Sequence, residues 1–287
     1  MTQIPVREFG PTGVKVAVIG QGGYRFGDDP QKAGQELEAL RVGLDLGMTH
    51  IDTAESYGGG RSEKLIAKVL AGRRDQVFLA TKVSPGNASC DGILKACEAS
   101  LERLGTDHLD LYIQHAWSDT HPVTESMRGL ETLADRGLVK AIGVSNFSVD
   151  QMEAAQSALR NVALSCNQML YHLEERGIEH HLLPYCREHQ IAVVAYSPLG
   201  QGSFVAPSSP GGQALAAIAE RHGRTPQQVA LNFVTRDEIV FTIPKAARLE
   251  HVRDNAGGAG WNLTDDDLAL LDRHFPLPPP DQPLKVW

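Results

Sequence analysis

The most regular feature of the chain is a series of short apolar runs separated by longer amphipathic segments. Eight of these runs are continuous rather than alternating in polarity, which is typical of parallel strands that are buried on both faces. They span Val16–Gly20, His50–Ala54, Val77–Val83, Leu109–Ala116, Ile142–Asn146, Ala163–Met169, Ala192–Ser197 and Val240–Lys245. Buried strands that alternate with helices predict either a closed parallel barrel or an open doubly wound sheet.

The segments between the runs carry helical spacing and helix-boundary residues. Two sets of apolar positions each fall on one helical face: Ile93, Cys97, Leu101 and Leu104, ending at Gly105, and Val123, Met127, Leu130 and Leu133, ending at Gly137. Capping boxes are expected at 148–151 and 225–228, because a Ser or Thr precedes a Gln by three residues in both. Pro226 fits the first position of the second helix, where no amide hydrogen is needed.

Both ends of the chain differ from this alternation. Val6–Phe9 and Val14–Ala17 flank the turn sequence Gly-Pro-Thr-Gly and predict a hairpin that covers the N-terminal end of the barrel. The pattern does not fix where this hairpin stops and the first barrel strand begins. The Pro-rich tail after residue 275 is expected to be extended, on the surface or over the mouth of the site. No low-complexity linker precedes it, so we expect a single domain over residues 1–287.

Composition and charge narrow the classes of function. The length of 287 residues suits one α/β barrel, which typically needs about 250 residues. The net charge is −8 and no basic run occurs, so nucleic acid is not an expected partner. The chain lacks a leader pattern and an apolar stretch of about 18 residues, so we expect a cytoplasmic protein. The cysteines have no metal-ligand spacing, and no metal is expected.

The glycine-rich segments do not match known phosphate-binding motifs. After the first apolar run, a dinucleotide fingerprint would need a third glycine where Arg25 stands. The run Gly58–Gly60 is followed by Arg61 and Ser62 rather than by the ending of a P-loop. We therefore interpret both segments as tight loops.

Four polar residues stand at or just after the ends of three neighbouring strands. They are Asp52, Tyr57, Lys82 and His115. Taken singly, each has an ordinary structural explanation: a loop cap, an aromatic packed at the barrel mouth, half of an ion pair, or a core histidine. Barrel enzymes carry their chemistry at the carboxyl ends of strands, and buried ion pairs seldom stabilise better than apolar packing does. Together, the four residues predict a functional site.

With these residues in place, the sequence resembles the aldo-keto reductase superfamily over nearly the whole chain. The segments that carry the resemblance are HIDTAESYGGGRSEKLIAKVL, LATK, YIQH, GVSNF, CNQ, AYSPLG and IPKAARLEHVRDN. The resemblance implies a (β/α)8 TIM barrel and the reduction of aldehydes or ketones by hydride transfer from NAD(P)H. It also implies that Tyr57 is the general acid, that Lys82 lowers the pKa of this phenol and is held by Asp52, and that His115 orients the substrate oxygen.

The same resemblance implies binding residues for the cofactor and the substrate. Ser145, Asn146 and Gln168 would hold the nicotinamide carboxamide, and Tyr196 would stack on the ring. The remaining cofactor positions are Gly22 and Gly23, the pyrophosphate loop Ser197, Pro198, Leu199 and Gly200, and the adenosine-side residues Lys245, Arg248, Asp254 and Asn255. Tyr24 and Trp117 are candidates for the substrate pocket.

The chain departs from the family where the adenosine 2′-phosphate would bind. Lys245 is present, but Ala246 stands where Ser or Thr is frequent, and His251 where many members carry an arginine. An imidazole does not replace a bidentate guanidinium, although Arg248 or Arg253 could compensate. Because Lys245 is present and an arginine is near, NADPH is favoured over NADH as the cofactor, and NADH stays possible.

Other functions remain open at this stage. One is an NAD-dependent sugar dehydrogenase, and another is a non-catalytic regulatory subunit that binds a nicotinamide cofactor on the same fold. A metal-dependent barrel hydrolase is disfavoured, because no HxH follows the first strand. The expected partner is a small-molecule carbonyl substrate, and the expected state is a monomer or a small homo-oligomer.

Overall fold

Eight parallel strands form the centre of the fold and lie side by side in the order of the sequence. The computed structural model describes residues 4–286, so Met1–Gln3 and Trp287 of the predicted domain lie outside the described residues. The barrel strands are β3 (Gln21–Gly22), β4 (His50–Asp52), β5 (Phe78–Val83), β6 (Leu109–Gln114), β7 (Val139–Ser145), β8 (Leu164–Leu170), β9 (Ala192–Tyr196) and β10 (Val240–Thr242).

Backbone hydrogen bonds between the first and last strands close the sheet into a barrel. Ile19 and Thr242 form a parallel bridge. The amide of Gly20 donates to the carbonyl of Thr242 at 2.7 Å, and the amide of Thr242 donates to the carbonyl of Val18 at 2.9 Å. A doubly wound sheet would leave these two edges apart, so the open-sheet alternative is excluded.

The first barrel strand is the one element that the apolar pattern placed wrongly. The run Val16–Gly20 was expected to form it, but Val16 and Ala17 belong to hairpin strand β2 (Lys15–Ala17), which pairs with β1 (Val6–Glu8). The barrel strand itself is Gln21–Gly22, paired with Ile51–Asp52 of β4. One continuous apolar run thus serves two sheets, and periodicity alone does not locate the division.

Ten α-helices surround the barrel within the described residues. They are α1 (Ala33–Asp45), α2 (Arg61–Leu70), α3 (Cys90–Leu104), α4 (Val123–Asp135), α5 (Val149–Ala158), α6 (Leu182–Glu188), α7 (Pro210–His222), α8 (Pro226–Val234), α9 (Leu249–Ala256) and α10 (Asp265–His274). The predicted helix signals are confirmed: Gly105 ends α3 in the left-handed conformation, and capping boxes begin α5 and α8. The helical face of 93–104 packs in the core between barrel and helices.

Residues along β5 show why the strands are mostly apolar on both faces. Phe78 and Ala80 pack in the interior of the barrel, whereas Leu79 packs toward the helices. Because both faces of the strand are buried, apolar residues are favoured on each of them. Lys82 lies on the same inward-facing side of β5 as Phe78 and Ala80 and is fully buried. Its ammonium group therefore requires partners inside the barrel.

The N-terminal hairpin covers the end of the barrel opposite these polar residues. Phe9 is fully buried, and its ring centroid lies 4.9 Å from those of Phe78 and Phe241. These residues stand at or near the starts of β5 and β10. The hairpin therefore seals the N-terminal end, as expected, and the carboxyl ends of the strands stay accessible.

The C-terminal tail lies against the segment that follows β8. The carbonyl of Pro278 is 2.6 Å from Nε2 of His180, and Lys285 forms an ion pair with Glu175. Of the two positions predicted for the tail, the structure places residues 276–286 on the surface, because none of them lines the large cleft described below.

Candidate active site

A buried ion pair lies at the carboxyl ends of β4 and β5. Nζ of Lys82 donates to Oδ1 of Asp52 at 2.5 Å, and the side chains are 0% and 2% exposed. The same ammonium donates to the carbonyl of Thr53 at 2.7 Å, and Nε2 of Gln168 donates to Oδ2 of Asp52 at 2.9 Å. A buried pair is tolerated when its remaining polar atoms are bonded in this way, so both charges are held in place.

The hydroxyl of Tyr57 completes the coordination of this ammonium. Nζ of Lys82 lies 3.4 Å from the Tyr57 oxygen and 5.0 Å from the ring centroid. Three glycines follow, with φ of 58°, 62° and 85°. A Cβ on Gly60 would lie 2.6 Å from Cδ of Arg103. The positive φ of Gly60 favours glycine, and a Cβ there would in addition force the Arg103 side chain to move.

Burial and the charge of Lys82 shift the pKa of Tyr57 in opposite directions. Burial raises the pKa of the phenol, and the charge of Lys82 offsets only part of this effect. Burial alone would lower the pKa of Lys82, but Asp52 and Tyr57 raise it. Lys82 thus lowers the pKa of the phenol, as the family resemblance implies, but burial raises it by more. Tyr57 is a protonated phenol that faces an ammonium ion near neutral pH.

His115 also contacts the Tyr57 ring. The two ring centroids are 5.6 Å apart and the planes meet at 71°. Burial lowers the pKa of His115 to about 4, and Lys82 lowers it further against the opposing effect of Asp52. The imidazole is consequently neutral at neutral pH, with one N–H available as a donor.

Below the ion pair, His50 occupies the interior of the barrel. Its ring is fully buried and meets those of Phe9 and Phe78 edge-on, at centroid distances of 6.1 and 5.2 Å. Among the described residues, neither ring nitrogen has a hydrogen-bond partner. Burial lowers the pKa of His50 to about 4; Asp52 opposes this effect, and Lys82 adds to it.

His50 should make the protein sensitive to acid. A histidine in the unfolded chain has a pKa of about 6.5. Between this pH and about pH 4, the unfolded chain therefore binds a proton that the folded chain does not bind. Stability present above pH 6.5 is then lost as the pH falls, by up to about 3 kcal/mol. Urea unfolding at about pH 7.5 and about pH 4 should show a smaller loss in His50→Leu than in the wild type, by about this amount, because His115 contributes equally in both proteins. Parallel pH profiles for the two proteins would contradict it.

The wall beside the ion pair is built from side chains of β7, β8 and β9. Oγ of Ser145 donates to the carbonyl of Gln168 at 2.9 Å. Asn146 adopts a left-handed conformation with φ of 60°, and its Nδ2 lies 3.1 Å from Oγ of Ser145 and 3.4 Å from the carbonyl of His115. The hydroxyl of Tyr196 donates to Oδ1 of Asn146 at 2.8 Å. Together with the bond from Gln168 to Asp52, these bonds fix two side-chain amides and one aromatic ring at the rim.

A cleft of about 800 Å³ opens over these groups. Of the residues predicted from the sequence, it is lined by Asp52, Tyr57, His115, Gly22, Tyr24, Ser145, Asn146, Gln168, Tyr196, Ser197, Pro198, Leu199 and Lys245. Lys82 lies directly below, in contact with two of them. The structure thus brings together all four residues of the predicted catalytic set and most of the predicted cofactor wall.

Other predicted residues lie outside this wall: Gly23, Gly200, Arg248, Asp254, Asn255 and Trp117. The amide of Gly200 donates to the carbonyl of Ser197, so it is not available to a phosphate as the sequence suggested. Arg248 contacts His251 at 2.5 Å and pairs with Glu250 at 3.3 Å, and Oδ1 of Asp254 accepts a bond from Thr225.

The cleft also has lining residues that the sequence did not reveal, among them Arg25, Asp28, Ser56 and Gln201. The signal that could have identified Arg25 as a cleft residue is its charge within the glycine-rich segment that follows the first strand. Its position depends on a φ of 63°, a conformation that arginine rarely adopts and that no polarity pattern predicts.

The sequence model of the Aldo/keto reductase family matches residues 18–275. The chain belongs to this family. Within the described part of this aldo/keto reductase, no group of three or more His, Cys, Asp or Glu side chains is placed to hold a metal ion. Over residues 4–286, none of its helices is both long and apolar enough to cross a membrane.

Relatives of this aldo/keto reductase match it over most of its length. The methylglyoxal reductase YeaE of Escherichia coli is 40% identical over 265 residues, which cover 92% of this chain and 93% of that protein. The aldo-keto reductase YhdN of Bacillus subtilis is 37% identical over 67% of this chain and 61% of its own length. An aldo-keto reductase from Klebsiella pneumoniae, solved in complex with NADPH, is 38% identical with a TM-score of 0.91, over 98% and 99% of the two chains.

The chemistry of the wall in this aldo/keto reductase fits a nicotinamide dinucleotide. Side-chain amides and a hydroxyl suit a carboxamide, and the ring of Tyr196 offers a flat aromatic surface. Lys245 adds a cation at the mouth of the cleft, with its Nζ 5.1 Å from the ring centroid of Phe26. A local cation of this kind can bind an anionic cofactor although the whole protein is acidic.

Proposed function

We propose that this protein reduces aldehydes and ketones to alcohols with NADPH, and that Tyr57 is the proton donor. One observation carries the proposal: a phenol, an ammonium, a carboxylate and an imidazole meet at one end of the barrel, beside a wall of amide groups. When bound, NADPH supplies the hydride. The residues of the chain supply binding, orientation and the proton.

Each of the four residues has a distinct task in the proposed reaction. Tyr57 gives its hydroxyl proton to the carbonyl oxygen, and Lys82 stabilises the phenolate that remains, because a nearby ammonium favours the charged form. Asp52 keeps the ammonium charged in spite of burial. The neutral imidazole of His115 donates a hydrogen bond to the carbonyl oxygen and orients it.

The cofactor would be held by the wall of the cleft. We assign the carboxamide to Ser145, Asn146 and Gln168, and the ring face to Tyr196. The pyrophosphate is assigned to Ser197, Leu199 and Lys245, without the occupied amide of Gly200. The adenosine side is assigned to Arg248, Asp254 and Asn255, which follow Lys245 on the segment that leads into α9.

Small 2-oxoaldehydes are the substrates that we would test first. The relative from Escherichia coli is named a methylglyoxal reductase, and the rim of this cleft carries the aromatic ring of Tyr24 beside Tyr57. A compact dicarbonyl would lie beside these two touching rings and needs no charged partner.

Purified protein should oxidise NADPH in the presence of methylglyoxal or 4-nitrobenzaldehyde. The specificity constant with NADPH should exceed that with NADH by about tenfold or more, which is the discrimination that one charged hydrogen bond supplies. Loss of cofactor absorbance measures turnover, and a fluorescence titration measures binding. Binding without turnover across a panel of aldehydes would favour a regulatory subunit. Oxidation of aldoses with NAD as the only activity would favour a sugar dehydrogenase.

The sequence-based expectations about the cellular setting stay predictions. They are a cytoplasmic location, a monomer or small homo-oligomer, one domain over the whole chain, and no nucleic-acid partner.

A further inference from the structure

A short turn from Gly23 to Gly27 carries an aromatic ring to the mouth of the cleft. The centroid of the Tyr24 ring lies 5.3 Å from that of Tyr57, with the planes at 69°. The next residue, Arg25, has a φ of 63°, and Phe26 is buried beneath the turn. Tyr24 itself is exposed, and besides Tyr57 its ring meets the guanidinium of Arg25, which lies 5.4 Å from the ring centroid and belongs to the same turn. The position of this ring must come from the backbone of the turn.

The first end of the turn is fixed to the barrel. The amide of Gly23 donates to the carbonyl of Asp52 at 2.7 Å, and the carbonyl of Gly23 accepts from Oγ of Ser62 at 2.9 Å. Ser62 is fully buried, and its Oγ also accepts from Oγ1 of Thr53 at 2.9 Å. Both polar groups of the Gly23 backbone are therefore bonded to buried partners.

The second end of the turn is held between two helices. The amide of Gly27 donates to Oε2 of Glu36 on α1 at 2.9 Å, and the carbonyl of Gly27 accepts from Nε of Arg61 on α2 at 2.8 Å. The guanidinium of Arg61 also lies 3.8 Å from the carboxylate of Asp28. Gly27 has a φ of 77°, and a Cβ there would approach Arg61 to 2.9 Å.

We propose that Glu36 and Arg61 are positioning residues for the carbonyl substrate, because they clamp Gly27 and so keep Tyr24 against Tyr57. The inference rests on the proposed reductase function and adds two residues to it. Neither side chain is among those that line the cleft. Their effect on turnover therefore passes through the turn or, for Arg61, through Asp28, which lines the cleft beside it.

Arg61 is the better of the two for a test. Its side chain is 57% exposed, so removal of the guanidinium leaves the core intact. Within residues 4–286, the guanidinium bonds to Gly27 and Asp28 alone. Glu36, in contrast, is buried and contributes to the electrostatic environment of Lys245, so its replacement would also disturb the cofactor side of the cleft.

The experiment compares Arg61→Met with Lys64→Met, a matched change at an exposed position of the same helix. In Arg61→Met the KM for methylglyoxal should rise about three- to tenfold, as for one lost hydrogen bond, with kcat and the Kd of NADPH within about twofold. In a Tyr24→Ala background the same substitution should raise KM no further, because coupled residues are not additive. Lys64→Met should resemble the wild type throughout.

Hydrogen–deuterium exchange gives a second readout that does not need activity. Amides of residues 23–28 should exchange faster in Arg61→Met than in the wild type and in Lys64→Met. Unchanged exchange would overturn the clamp, and faster exchange with an unchanged KM would overturn its role in positioning the substrate. A full further rise of KM in the Tyr24→Ala background would show that Arg61 does not act through Tyr24. If the wild type reduces no carbonyl, the reductase proposal fails, and the exchange data still decide whether the clamp exists.

Discussion

Replacing Tyr57 with phenylalanine is expected to lower kcat by about 10²–10⁴, the contribution typical of a positioned proton donor. The substitution removes the hydroxyl 3.4 Å from Nζ of Lys82 and leaves the ring, so the cleft keeps its shape. The Kd of NADPH should stay within about twofold, since no carboxamide contact is assigned to this oxygen. Steady-state kinetics and a fluorescence titration with NADPH measure the two quantities.

Tyr185→Phe is the control for this change, because Tyr185 lies on α6 outside the cleft and stacks on His189. Its kinetics should match those of the wild type. A near-normal kcat in Tyr57→Phe would remove Tyr57 from the role of proton donor and leave the reaction without an assigned acid.

Replacing Lys82 with methionine should be at least as damaging to kcat and should also destabilise the fold. The carboxylate of Asp52 would remain buried with only the Gln168 amide as a partner, and breaking a buried pair on one side costs about 3–5 kcal/mol. The phenolate formed at Tyr57 would lose its counter-charge. Urea unfolding and steady-state kinetics together measure the two effects.

The double variant Asp52→Asn with Lys82→Met separates stability from catalysis. Removing both charges should restore most of the lost stability, because a neutral pair leaves no uncompensated ion, but it should not restore turnover. Recovery of kcat along with stability would mean that the ammonium has no chemical role and that the single variant was inactive through misfolding.

The fold was largely predictable because its strands are buried on both faces. Continuous apolar runs, glycine stops and capping boxes such as Thr225–Gln228 are local signals, and the structure confirms them. The first barrel strand was misplaced because the apolar run from Val16 passes from the hairpin sheet into the barrel. The barrel is closed by a hydrogen bond between Gly20 and Thr242, which are far apart in the sequence, so no local pattern predicts this contact.

The candidate site was predictable in its membership but not in its electrostatics. Polar residues at strand ends identify Asp52, Lys82 and His115, since each is costly in an apolar strand. The net pKa of Tyr57 depends on the depth of burial as well as on the nearby charge, and only the structure gives that depth. The conformation of Arg25 and the occupied amide of Gly200 likewise depend on loop geometry. The roles assigned to the cofactor residues stay predictions.

The most direct test of the central claim follows the hydride itself. The two C4 epimers of deuterated NADPH are each incubated with the protein and 4-nitrobenzaldehyde, and the alcohol is analysed by mass spectrometry. Our account predicts one deuterium on the carbinol carbon from one epimer and none from the other, because the amide wall presents a single face of the ring. It also predicts that Tyr57→Phe forms this product far more slowly. Alcohol without deuterium from both epimers, or equal rates for wild type and Tyr57→Phe, would contradict it.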